Sequence, residues 1–130
     1  NVSEERGRRV VESLLVAAVQ LEQASSGSDV RAAVRDCALA LEHNLDTLAR
    51  ELNADPASGG AIEPSLVPRA RAVESRLKNL LLTCWEFLKR NDAELADLGR
   101  ARDLARQMRE AGHEDIDLVF AHLLLPQALD

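Results

Sequence analysis

The side chains best equipped for chemistry are His43, His113, His122, Cys37 and Cys84. Glu110-Ala111-Gly112-His113 has the Glu-x-x-His spacing by which helical bundles hold a pair of iron ions. That chemistry needs a second such motif and two further inward glutamates. His43 and His122 have Ala40 and Val119 three places before them, and Gly112 is expected to end the helix inside the motif. The spacing therefore predicts no metal site. A cysteine becomes a nucleophile only beside a base that lowers its pKa. Cys37 and Cys84 share no short-range spacing and lie on or beside apolar seams, so they read as small buried hydrophobes. No Cys-x-x-Cys, Gly-x-x-x-x-Gly-Lys, Gly-x-Ser-x-Gly or His-Glu-x-x-His pattern occurs. The expectation is a protein that is not an enzyme and carries no cofactor.

His43 is followed by Asn44, Leu45, Asp46, Thr47 and Leu48. Over these few residues the chain loosely resembles the phospho-acceptor box of two-component histidine kinases. The resemblance implies a phosphotransfer domain centred on His43, whose ring must face solvent in mid-helix. His43 does fall opposite the Leu41/Leu45/Leu48 seam. Asn44 stands where that box has an acid, its usual proline is missing, and no nucleotide-binding glycine box is present. A third reading is a bundle that takes a small molecule or lipid in a hollow core among Leu41, Leu45, Leu77 and Leu81.

Surface chemistry supplies another reading. Arg102, Arg106 and Arg109 recur at four- and three-residue spacing and so form one stripe of a helix, bordering Leu95 and Leu98. Arg69 with Arg76, and Arg71 with Lys78, form similar pairs. Leu82 and Trp85 lie towards the outer side of their helix, and Val16 and Val19 fall opposite the apolar stripe of theirs. Trp and Arg dominate interface hot spots. Together these residues predict a partner-binding surface, an apolar groove with a basic rim suited to an acidic amphipathic helix. The double reversal Arg102→Glu/Arg106→Glu is expected to abolish partner capture and leave the fold intact.

The elements that must position these residues are delimited by the glycines and prolines, which cost most inside helices. Ser3 reads as an N-cap with Glu4 and Glu5 in the first turn, opening a helix over about 3–24 with Val10, Leu14, Ala17, Ala18 and Leu21 inward. Gly27 is expected to end it. A second helix over 30–52 carries the seam Val34, Ala38, Leu41, Leu45, Leu48 and Leu52. Residues 53–63, with Pro56, Gly59 and Gly60, read as a flexible loop, long for a bundle connection. A third helix spans 65–90 with Leu66, Ala70, Val73, Leu77, Leu80, Cys84 and Phe87 inward. Asn91-Asp92-Ala93-Glu94 reads as a capping box opening a fourth over 92–111, although one kinked helix through the junction is an alternative. Its inward residues are Leu95, Leu98, Ala101, Leu104, Ala105 and Met108. A short fifth helix spans 115–125, with Glu114, Asp115 and Asp117 in its first turn. The fold expected is an all-α antiparallel four-helix bundle with that short addition.

The 130 residues suffice for one domain with a real core. The chain starts at Asn1 and is read as a single bundle cut from a longer protein. Aromatics are limited to Trp85, Phe87 and Phe120, too few for base-stacking nucleic-acid modules. A net charge of −6 also disfavours nucleic acid and anionic membrane as partners. Of the 16 basic residues only Lys78 and Lys89 are lysine. No apolar run is long enough to span a bilayer. Two cysteines without a disulfide framework point to the cytoplasm. The function expected is a non-catalytic scaffold or adaptor module that binds a protein or peptide helix, or pairs with itself as a homodimer.

Overall fold

The computed structural model describes the backbone over residues 11–55 and 62–129, and side chains over 12–55 and 62–118. Ser3, Glu4, Glu5 and Val10, the loop glycines Gly59 and Gly60, and the side chains of Val119, Phe120 and His122 lie outside that set. The protein is an all-α helical bundle, with no strand among the described residues. A π-helical turn, Val11–Leu15, leads into α1 (Val16–Gln23). α2 is Gly27–Asn53, and α3 is Val67–Leu88 behind a 3-10 turn at Pro64–Leu66. α4 is a single turn, Asp92–Leu95, and α5 runs from Leu98 to Leu129.

Gly27 opens α2 rather than ending α1. Ser26 is the N-cap, its Oγ accepting from the backbone N–H of Asp29 at 3.1 Å. A Cβ on Gly27 would lie 2.0 Å from the carbonyl oxygen of Asp92, so only glycine lets the start of α2 press on α4. The capping box forms as read: Asn91 Oδ1 accepts from Glu94 N–H, and Glu94 Oε2 accepts from Asn91 N–H. α3 and α5 are therefore separate helices with one turn of helix between them.

The expected stop at Ala111 and the separate helix over 115–125 are corrected. α5 continues unbroken through Gly112 and Pro126. A glycine inside a helix costs about 1 kcal/mol against alanine, which packing can offset. Gly112 is buried, and a Cβ there would meet Leu15 Cδ2 at 3.0 Å and Leu14 Cβ at 3.6 Å. It is a close-approach glycine rather than a helix terminator. Asp115, expected in a first turn, is instead fully buried.

Side-chain contacts set every neighbouring pair antiparallel. Asn44 Nδ2 donates to Ser13 Oγ and the Cys37 thiol to Ala17 C=O, so α2 descends beside α1. Arg31, near the start of α2, donates to the carbonyls of Leu88 and Arg90 at the end of α3. Arg76 reaches Glu110 and Glu114, and Arg102 reaches Leu21 and Ala24, so α5 runs opposite to both α3 and α1. Packing of α1 on α2, α2 on α3, α3 on α5 and α5 on α1 closes a ring. Inside it lie Leu14, Leu21, Leu41, Leu48, Leu77, Leu104, Met108 and Leu118, each at most 2% exposed. Burying one such side chain stabilises by about 1.5–3 kcal/mol. Ile62, on the return of the long connection, is also buried, and its N–H donates to Glu51 C=O at 3.3 Å.

Candidate functional site

The stripe Arg102, Arg106 and Arg109 forms on α5, but each guanidinium already has a task. At the end of α1, Arg102 Nη1 donates to Ala24 C=O at 3.0 Å and, at 3.4 Å, to Leu21 C=O, which also accepts Ala24 N–H. Arg106 pairs with Asp103 at 2.6 Å and Glu110 at 2.9 Å, both on its own helix. Arg109 pairs with Glu22 of α1 at 3.2 Å. Arg76 of α3 joins the network through Glu110 at 2.9 Å and Glu114 at 2.5 Å. Arg106, then Arg76, hold the Glu110 carboxyl below its ordinary range, and hydrogen bonds from Arg106 and Gln107 do the same for Asp103. Glu110 of the Glu-x-x-His spacing is thus a surface ion-pair residue, and His113 is exposed beside it. Among the described residues, no three His, Cys, Asp or Glu side chains converge as metal ligands.

The residues expected to share one groove do not all meet. Leu95 is 2% exposed and belongs to the core, which corrects its place on a partner surface. Leu98 is half-buried against that core. Thr83 and Phe87 of α3 line an open cleft of about 260 Å³ with Gly99, Arg100, Asp103, Leu104 and Gln107 of α5. Trp85 stands two residues from each, ~200° around the helix, so it faces away from α5 and its arginines. Leu82 and Trp85 are exposed, at 53% and 44%, on that far side of α3.

Val16 and Val19 are exposed on α1 as their spacing requires, and Leu39 of α2 is more exposed still, at 60%. Leu39 was legible by the same test: it is a large apolar residue off the seam of its helix. The contacts Ala17–Cys37 and Ser13–Asn44 fix the register of α1 on α2 and set Val16 level with Leu39. Beyond them the interhelical furrow opens into a cleft of about 350 Å³ lined by Gln20, Gln23, Ala24, Asp29, Ala32, Ala33 and Asp36. Hydrogen bonds from Ser25 and Ser26 hold the Asp29 carboxyl below its ordinary range.

Leu41, Leu77 and Leu81 are buried in the core, with Leu45 packed against it, and none of them lines either cleft. Both thiols are free and buried. Desolvation raises both thiols, Cys84 to about 12, and so disfavours their thiolate forms. His43 is exposed in mid-helix, and Thr47 Oγ1 donates to its backbone carbonyl at 3.1 Å. Among the described residues no helix is long and apolar enough to cross a membrane. Compared with protein-family models, curated proteins and solved structures, the chain matches none.

Proposed function

We propose that this bundle is a non-catalytic interaction module whose outer helix faces bind a partner helix. One observation carries the reading. Val16, Val19, Leu39, Leu82 and Trp85 are 43–60% exposed on helices whose inner seams already fill the core. Large apolar side chains that the core does not need support a contact surface where neighbouring helices bring them close. The free, buried thiols are compatible with a reducing, cytoplasmic setting. The engaged arginines of α5 weaken the case for an acidic partner on that helix. A selection from a displayed library of amphipathic helices tests the proposal. Enriched helices should bind the wild type and lose at least tenfold affinity for Val16→Ser/Leu39→Ser or for Leu82→Ser/Trp85→Ser. Enrichment that is indifferent to both variants contradicts it.

A second reading rests on the exposed, mid-helix position of His43: a histidine phosphotransfer domain. It predicts acid-labile phosphate on the wild type and none on His43→Ala; equal labelling rules it out.

A further inference from the structure

We infer that the α1–α2 face is the binding surface and that its occupant is a basic amphipathic helix. The inference rests on the interaction reading above and adds the place and the charge. On α2, Asp29, Ala32, Asp36, Leu39 and His43 recur at three- and four-residue spacing and make one outward stripe. On α1, Val16, Val19 and Gln23 make the facing stripe, with Glu12 in the π-helical turn before it. The Ala17–Cys37 and Ser13–Asn44 contacts lock the two stripes in register. The furrow between them has a fixed order along its length. Glu12 and His43 stand at one end, Val16, Val19 and Leu39 in the middle with Asp36 level with Val19, and Asp29 with Ala32 and Ala33 at the other. Alanines let a third helix approach closely, and the apolar centre gives it something to bury.

The charges choose the occupant. Among the described residues no Arg or Lys pairs with Glu12 or Asp36, and Ser25 Oγ, which donates to Asp29 Oδ2 at 3.0 Å, leaves that carboxylate's charge uncancelled. Arg35 and Glu42 border the stripe on its α3 side and balance in charge, while Arg50 is held by Asp46 at 2.6 Å. Among the described residues the two stripes therefore carry acids and no cation: Glu12 at one end, Asp36 and Asp29 towards the other. A second copy of this chain, at −6 overall, would set acids against acids in a two-fold contact, and an anionic membrane or nucleic acid would be repelled. A helix with an apolar stripe and Lys or Arg at both ends matches the order found here. From Asp29 to His43 the stripe runs about 20 Å at ~1.5 Å per residue, so four turns of partner suffice.

The test is fluorescence anisotropy with a labelled helical peptide of about 20 residues, leucines at three- and four-residue spacing and lysines at both ends. A peptide with glutamates for the lysines is the control. The basic peptide should bind at least tenfold more tightly than the acidic one, and weaken with salt. Glu12→Lys/Asp36→Lys and, separately, Leu39→Ser should each cost at least tenfold, and Leu82→Ser/Trp85→Ser should cost less than twofold. Loss that maps to Leu82 and Trp85 instead overturns this surface but leaves the interaction reading standing. Equal binding of the two peptides overturns the charge assignment. Concentration-dependent dimerisation abolished by Leu39→Ser overturns the occupant in favour of a second copy. Binding of neither peptide, with no helix enriched from the library, removes both readings.

Discussion

Arg31 shows how much one surface residue can organise. Its Nε donates to Asp92 Oδ1 at 3.0 Å, Nη1 to Leu88 C=O at 2.9 Å, and Nη2 to Arg90 C=O. One planar fork thus joins α2 to the end of α3 and the start of α4. Arg31→Met should destabilise the bundle by about 2 kcal/mol in urea unfolding, the scale for losing hydrogen bonds to a charged group. Arg31→Lys should recover little of it, because an ammonium cannot reproduce the fork. Asn44, 1% exposed, likewise joins α1 to α2 through Ser13 while donating to Ala40 C=O at 2.8 Å. The two thiols make a separate prediction. Both are buried and held protonated by desolvation, so a thiol reagent should label the chain only at the rate at which the bundle opens. Labelling of native protein as fast as a free cysteine would contradict their burial. Arg102 illustrates what periodicity leaves out. Its place in a stripe was legible, but its bonds to Leu21 and Ala24 depend on where α1 ends in space.

At the scale of elements, Gly27 and Gly112 have different roles and should respond differently to the same substitution. Gly27→Ala puts a methyl against the Asp92 backbone, which cannot rotate away, and should cost about 1–3 kcal/mol as overpacking does. Gly112→Ala meets only the end of a leucine at 3.0 Å, and its cost should be offset by the gain of about 1 kcal/mol in helix propensity. Denaturant melts of the two variants should therefore separate, Gly27→Ala well below Gly112→Ala. The same pair explains which boundaries could be read. Three- and four-residue spacing placed α2 and α3 to within a few residues, and the Asn91-x-x-Glu94 pattern placed the capping box. Gly112 misled because a glycine that relieves crowding against Leu15 and a glycine that ends a helix look identical in sequence. Helix membership follows from local pattern, whereas the reason for a small residue lies in the neighbour it faces. Ile62 was passed over for a similar cause: it lies in a loop by composition and in the core by contact.

For the whole molecule, the ring of helices decides which outliers can act together. Among the described residues, sequence identified four of the five exposed large apolar side chains but grouped Leu82 and Trp85 with the arginines of α5, since angular position around the bundle needs the neighbours of each helix. The register of α1 on α2 instead sets Val16 level with Leu39. Electrostatics adds a global prediction. Asp29, Asp103 and Glu110 are held below their ordinary values by hydrogen bonds and, for the last two, by arginine. A carboxylate depressed in the folded state adds stability above its unfolded pKa and loses it as pH falls through the folded one. The bundle should thus keep its stability down to the ordinary carboxylate range and weaken progressively below it. Arg106→Gln should flatten that acid limb in thermal melts, and high salt should do so partly, because these pairs are exposed. The central claim is that the outer faces bind while the core stays closed. Its most direct measurement is a map of backbone amide NMR shifts on adding a helix selected from the library. The account predicts shifts gathered on the outer turns of α1 and α2 around Val16, Val19 and Leu39, with the amides of the buried seams unmoved. No saturable shift, or shifts spread through the core from Leu41 to Met108, would contradict it.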